Sequence, residues 1–374
     1  MKKNIYLMAA LMLSVLAVPA RAWTACGTTE PTDSVVEASA DYEFAELDSM
    51  IDTWMHCGYY PGGSIRVVKD GQVVFSKSYG NTTADTKIYM ASAGKWVAAA
   101  VIGAVVDHTR LDWDDTVADW LPEFKGDTKG SITLRRLLSH TSGVRPYLPA
   151  PKTDNFNTLD SAMVEILPLD TVFAPGTRFE YGGLAMQIAG RMAEVAACAS
   201  YEQLFSRFIA TPLGMHNSHF TPVNTAGGHA PMLGGGLCTT LNDYMRFLEM
   251  IFNGGMFRGQ HILSTATITE MQADQVSPAR VAPGEYVERA LHRTHAGIYG
   301  LGEWRELIDA NGEAYQISSP GWAGTYPWIN KHDGVYGMFI AHVRGAMNKQ
   351  DGFSSFYGSP AISAAVSKVV NRTK

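Results

Sequence analysis

The chain has 374 residues, 46% of them hydrophobic and 18% charged, with 36 glycines and a formal net charge of −6. That length and apolar content bury a full core, and two intimately packed domains are the natural expectation. The acidic balance, with no Lys and Arg run interleaved with aromatics, supplies no field for phosphates and argues against nucleic acid as a partner.

Lys2 and Lys3 precede an apolar run from Ile5 to Val18 that ends at Ala20-Arg21-Ala22, the layout of a secretory signal with its cleavage site. The run is shorter than the roughly 20 residues a membrane span requires, so residues 1–22 read as removed on export. The expected location is the periplasm or the exterior, without stable membrane insertion. Lipidation at Cys26 is the minor alternative, because Trp23 and Thr24 fit a lipoprotein box poorly. In an oxidising compartment Cys26, Cys57, Cys198 and Cys238 permit two bridges, and Cys26 with Cys57 is the expected one. Buried free thiols are the alternative, above all for Cys198 and Cys238. No close Cys or His pair has zinc-ligand spacing, and neither a metal nor a cofactor is expected.

Phe44, Leu47, Met50, Ile51 and Trp54 recur at helical spacing, and Pro61-Gly62-Gly63 ends that helix. Ser64 to Val68 and Gln72 to Tyr79 flank Lys69-Asp70-Gly71 and predict a hairpin. From Ser92 to Val106 the pattern is apolar all round, which predicts a helix buried on every side at the centre of the molecule. Helices and loops then alternate to about Phe220, punctuated by Pro122, Pro146, Pro149, Pro151, Pro175 and Pro212, and nothing there alternates like a strand.

Thr240 caps a helix carrying Leu241, Met245, Leu248 and Phe252, which Gly254-Gly255 ends. Strand character returns from Val335 to Val343, and Ser359-Pro360 opens a last helix with Ile362, Val366, Val369 and Val370 on one face. Strands near both ends around a helical block predict an α+β fold. Residues 23–87 and 231–374 form the sheet domain, and residues 88–230 form the helical domain.

Ser92-Ala93-Gly94-Lys95 is the only Ser-x-x-Lys in the chain. Spacing of three puts both side chains on one helix face. A serine hydroxyl is a weak nucleophile until a base sits beside it, and a lysine in an apolar site can accept a proton. The first helical turn also offers free N–H groups to a carbonyl oxygen under attack. The bland alternatives are a helix N-cap for Ser92 and a snorkelling surface side chain for Lys95, but this helix offers no polar face for the charge to reach. Tyr181, in Phe173-Ala174-Pro175-Gly176-Thr177-Arg178-Phe179-Glu180-Tyr181-Gly182-Gly183, would relay the proton if it lies near Lys95; otherwise it is an ordinary buried tyrosine. Pro320-Gly321-Trp322-Ala323-Gly324-Thr325 is a glycine-rich turn that lets backbone approach a ligand. His140 suggests a Ser-His pair, yet no Gly-x-Ser-x-Gly elbow occurs, so a loop hydrogen bond near the cleft is the better role. Asp112, Asp114 and Asp115 fit capping and turn roles better than a metal or glycosidase cluster.

These motifs fall in the order seen in the serine β-lactamase and penicillin-binding-protein superfamily. The chain resembles its class C β-lactamase-like branch, which includes the family VIII carboxylesterases. Leu134 to Gly143, Pro212-Leu213-Gly214-Met215 and Tyr299-Gly300-Leu301-Gly302 agree with it. The resemblance implies a β-lactamase/transpeptidase-like fold and an acyl-enzyme on Ser92. It also implies acid–base work shared by Lys95 and Tyr181 as a coupled pair, and an oxyanion hole from the backbone N–H groups of Ser92 and Thr325.

Two departures bear on substrate. Gly183 replaces the Asn of a Tyr-x-Asn motif, and Trp322-Ala323-Gly324 replaces Lys-Thr-Gly. These changes remove a partner for a substrate amide and a cation for a β-lactam carboxylate. A Trp-x-Gly third motif looks like that of family VIII esterases, with Trp322 an apolar wall for neutral acyl or alcohol groups. A carboxylesterase on small or medium esters is therefore expected first. A D-aminoacyl peptidase or amidase, or a weak β-lactamase, is second, and a catalytically silent envelope binding protein is the alternative of another class. The partner in every enzymatic reading is a small ester, amide or lactam.

Overall fold

The computed structural model describes residues 37–38, 41–150, 158–220, 231–293, 297–343, 349–350 and 353–372. The signal segment 1–22 and Cys26 lie outside the described residues. Asp70 and Gly71 take φ of +48° and +79°, the left-handed pair that a two-residue hairpin turn demands. They fold β2 (Gly62–Lys69) onto β3 (Gln72–Gly80), and β1 (Glu37–Ala38) pairs with the far edge of β3. Four further strands come from late in the chain: β4 (Trp304–Ile308), β5 (Ala314–Ser318), β6 (Tyr326–Asn330) and β7 (Val335–Ala341). Among the described residues these seven form one antiparallel sheet in the order β1-β3-β2-β7-β6-β5-β4. The two ends of the chain meet where β7 pairs with β2, from Val335 opposite Lys69 to Ala341 opposite Gly63.

Both faces of this sheet are covered. α1 (Ala45–His56) and α5 (Pro360–Arg372) lie on one, where Leu47, Ile51, Ile362, Val366 and Val370 pack with Ile65, Val67 and Phe339. On the other, Met338, Ile340 and Ile329 join the main core with α2 (Gly94–His108), α3 (Leu184–Ala197) and α4 (Leu241–Phe252). Burial on both faces explains why β6 and β7 are buried at every position and show no alternation. β4, β5 and β6 were not anticipated as strands. Polar residues interrupt β4 and β5, and each is satisfied inside. Arg305 donates to the carbonyls of Gln272, Gly297 and Gly312. Glu306 accepts from Tyr286 (3.0 Å), Gln316 (2.6 Å), Tyr326 (2.9 Å) and Ser318.

α2 is buried from Gly94 to Val105, as its all-round apolar pattern requires. It begins at Gly94 rather than Ser92, because Ala91 to Ala93 form a 3₁₀ turn after a left-handed Ala91 (φ +49°). The block before Phe220 does contain strand pairing, although only as two-residue pieces at Ile88–Tyr89, Arg178–Phe179 and His219–Phe220. Thr240 caps α4 through the Asp243 N–H. Asp112, Asp114 and Asp115 serve turns and side-chain anchors: Asp115 accepts from Asp112 N and Trp120 Nε1, and Asp114 accepts from Arg135. Cys57 is an exposed thiol just past the end of α1; its expected partner Cys26 lies outside the described residues. Cys198 is exposed at the end of α3, and Cys238 is buried in the strand Leu237–Thr239. Among the described residues no helix is long and apolar enough to cross a membrane.

Candidate active site

The Ser92 turn is clamped from two sides. Behind it, Ile88–Tyr89 pairs with Leu237–Thr239, and Met90 N donates to Leu237 O at 2.8 Å. In front, the Ser319 hydroxyl donates to Ser92 O at 3.2 Å. Gly321 runs so close to this turn that a Cβ there would stand 2.4 Å from Met90 O. Held this way, Ser92 caps nothing: α2 has no side-chain cap. Its half-buried hydroxyl instead receives a hydrogen bond from Lys95 Nζ at 3.1 Å.

Lys95 is 2% exposed, which rules out the snorkelling alternative. Its ammonium also donates to Gly234 O at 2.6 Å and lies 4.6 Å from the centre of the Tyr181 ring, within cation–π range. Gly234 is a functional contact that sequence reasoning missed. A backbone carbonyl leaves no side-chain signature, and the only available signal was the run Gly234-Gly235-Gly236 just before a strand.

Tyr181 reaches the same point because its segment is zipped onto the loop after Leu138. Gly176 N donates to Thr141 O, Glu180 N to His140 O, and Gly183 N to Pro146 O. A short parallel pairing of Arg178–Phe179 with Arg280–Val281 holds the other edge. The Tyr181 hydroxyl is buried and outside strict hydrogen-bond geometry of any partner. Burial pushes its pKa above the ordinary phenol value, and the nearby Ser92 hydroxyl and Trp304 indole offset part of that rise. His140 joins the loop through its backbone carbonyl, which accepts from Glu180 N, while its ring packs tilted against Tyr181 with centres 4.6 Å apart. Desolvation and the Lys95 charge hold that imidazole well below its usual pKa, so it is neutral.

The third motif closes the front. The turn from Gly321 to Thr325 is tied by Gly321 N to Thr325 O (2.7 Å) and Gly324 N to Gly321 O (2.9 Å). Trp322 is half-buried at its apex, Ala323 and Gly324 are buried, and Thr325 is anchored by its hydroxyl on Ala341 O at 2.8 Å. Gly183 is half-buried beside Gly234, where a Cβ on Gly234 would stand 3.0 Å from Gly183 Cα. Ser92, Lys95, Tyr181 and Gly183 thus converge around Gly234, and the Trp322 turn abuts the nucleophile's own backbone. Among the described residues no group of His, Cys, Asp and Glu is arranged to hold a metal ion. Two hollows on the surface, over α1 and between β2 and α4, are remote from these residues.

A half-exposed serine bonded to a buried lysine, on a helix packed against a sheet made from both chain ends, defines a serine-hydrolase type of site. The chain belongs to the beta-lactamase family, whose model matches residues 47–352 and whose members are serine hydrolases. It is 71% identical to a solved structure from Bacteroides dorei DSM 17855 that carries a beta-lactamase designation. That likeness covers 88% of this chain and 99% of the other, with a TM-score of 0.85. A solved family VIII carboxylesterase shares the fold at 18% identity and a TM-score of 0.69, over 92% of this chain and 100% of that one. A D-aminopeptidase of Cereibacter sphaeroides is 28% identical over 189 residues, 47% of this chain and 36% of that protein. The chain spans about two fifths of the length of the curated relatives it matches.

Proposed function

We propose that this protein, exported through residues 1–22, hydrolyses small or medium carboxylic esters through an acyl-Ser92 intermediate. The observation that carries the reading is the 3.1 Å contact between Ser92 Oγ and a Lys95 that is 2% exposed. In its neutral form Lys95 takes the Ser92 proton as Oγ bonds to the ester carbonyl carbon. The ammonium so formed is received by Gly234 O and the face of Tyr181. Charge gathering on the carbonyl oxygen is met by the backbone N–H groups of Ser92 and Thr325, which the abutting turns support. Tyr181 gives its proton to the departing alkoxide and recovers one from Lys95. Water then attacks the acyl carbon, and the same groups run in reverse.

The ester preference rests on what lines the front of the site. Trp322 stands where a lactam carboxylate needs a cation, and Gly183 offers no side-chain amide, so neutral apolar groups fit best. The split into residues 23–87 with 231–374 and residues 88–230 suits this mechanism. Ser92, Lys95 and Tyr181 come from one unit and the Trp322 turn from the other, so substrate would bind where the two units meet. The D-aminopeptidase relative supports amide cleavage as the second reading, ahead of weak β-lactam turnover. A silent binding protein would have no use for a lysine buried against a serine. Turnover of a short-chain nitrophenyl ester, a chromogenic cephalosporin and a D-alanyl peptide ranks the three substrates. Ser92→Ala should lower the ester rate by about 10⁴-fold or more and abolish labelling by a fluorophosphonate; an ester activity that survives it would falsify the assignment.

A further inference from the structure

Behind Tyr181 the chain buries an unusual group of polar atoms. Tyr299 OH, Trp304 Nε1 and His140 Nε2, like the Tyr181 hydroxyl itself, make no hydrogen bond of good geometry, yet the Trp304 indole and the Tyr299 hydroxyl stand close enough to the Tyr181 hydroxyl to interact with it. Their residues are 0%, 1% and 2% exposed, so water does not satisfy them at the surface. Their rings form one cluster around Tyr181: ring centres lie 4.6 Å away for His140, 5.2 Å for Trp304 and 5.9 Å for Tyr299, and Tyr299 and Trp304 are 5.0 Å apart.

The local fold fixes the two donors together. Tyr299 and Trp304 pair as an isolated antiparallel bridge, closed by Gly300 N donating to Glu303 O at 2.9 Å. The turn between them rests on the helix that carries the base, since a Cβ on Gly302 would stand 2.8 Å from Lys95 O. Tyr299, Trp304, Tyr181 and Lys95 are therefore parts of one rigid assembly.

Buried donors without partners are rare in native proteins, and each calls for an explanation. Here both donors neighbour an oxygen whose charge changes in the proposed reaction. A neutral phenol is a modest acceptor, whereas a phenolate is a strong one. Donors placed beside it in advance stabilise the state in which the proton has left more than the state in which it is present. We infer that Tyr299 and Trp304 are positioning residues that receive the phenolate of Tyr181 while its proton is on the leaving group. This rests on the reading of Tyr181 as the acid that serves that group. The proton balance is closed: Tyr181 O–H passes its proton to the alkoxide, the phenolate is held by Tyr299 O–H and Trp304 N–H, and the Lys95 ammonium returns the proton that came from Ser92. The charged and titratable neighbours of Tyr181 are Lys95, neutral His140, Tyr147, Tyr299 and Glu285. Lys95 is the one cation among them, so the phenolate is met largely by neutral donors.

The test uses two substrates of similar acyl group, a nitrophenyl ester whose leaving group departs without a proton and an alkyl ester whose leaving group needs one. In the full chain, Tyr299→Phe and Trp304→Phe keep an aromatic ring and delete the donor. Each is expected to lower kcat/KM for the alkyl ester by about 10- to 100-fold while the nitrophenyl ester changes by less than about 3-fold. Equal losses on both esters, or none in a folded variant, would mean that Tyr299 and Trp304 only pack, and overturn the inference. Tyr299→Phe removes a single buried oxygen and decides the matter alone if Trp304→Phe does not fold. Ser92→Ala, run beside them, separates the two readings: activity surviving there sinks the acyl-serine mechanism, whereas a silent Ser92→Ala with equal ester losses sinks only the role of these two donors.

Discussion

Glu306 and Trp304 lie two residues apart on β4, and their surroundings follow opposite rules. Four donors meet the Glu306 carboxylate from Tyr286, Gln316, Ser318 and Tyr326, although burial still pushes its pKa up. The Trp304 indole N–H makes no hydrogen bond of good geometry, and the same holds for Tyr299 OH, the Tyr181 hydroxyl and both carboxyl oxygens of Glu303 nearby. Buried polarity that is fully paired ties β4, β5, β6 and the helix Tyr286–Leu291 into one body, whereas the loosely paired hydroxyl and indole of Tyr299 and Trp304 lie against Tyr181, whose ring faces Lys95. The contrast separates groups that hold the fold from groups kept ready for a charge that comes and goes.

Removing the hub of the paired region should have the largest effect. Glu306→Ala strands four donors and is expected to cost about 3–5 kcal/mol, read from urea unfolding, with activity per folded molecule unchanged. A loss under 1 kcal/mol would erase the distinction. Next comes Glu303, whose carboxyl is pushed up to about 8 by burial, against the opposing pull of Lys331, Trp96 and Arg305. The folded chain keeps this proton at pH values where the unfolded chain has released it. Its contribution is therefore present below the ordinary carboxylate range and is lost as pH rises through 8. Glu303→Gln should flatten that decline, by on the order of 1–3 kcal/mol between pH 5 and pH 9, and an unchanged slope would remove Glu303 from the unpaired group. Smallest is the effect of Tyr299→Phe on stability, within about 1 kcal/mol of zero and of either sign, because a hydroxyl without a partner contributes little to the fold. A cost as large as that of Glu306→Ala would show that Tyr299 belongs with the paired network instead.

The parts legible in the sequence were those governed by short spacing. Ser92 and Lys95 share a helix turn, Asp70-Gly71 dictates its hairpin, and the all-apolar stretch of α2 admits only a buried helix. Tyr181 was legible through its motif and its order along the chain. What escaped was polarity whose meaning depends on distant partners. Arg305, Glu306 and Gln316 make β4 and β5 look unlike strands until their acceptors and donors are in place. Tyr299 was visible only as part of a Tyr-Gly-Leu-Gly stretch, and Trp304 carried no signal of its own. Gly234 acts through a carbonyl that every residue possesses.

The pairing of β2 with β7 also sets a timetable. On one side β2 meets β3 within a single turn, but its other edge waits for Val335–Ala341, and the turn that presses on Met90 is likewise made late. A growing chain carries its nucleophile long before it owns the strands that clamp it, and through that interval the β2 edge is open to wrong partners. Chains truncated before β7 should therefore emerge as aggregates and never as smaller, slower enzymes.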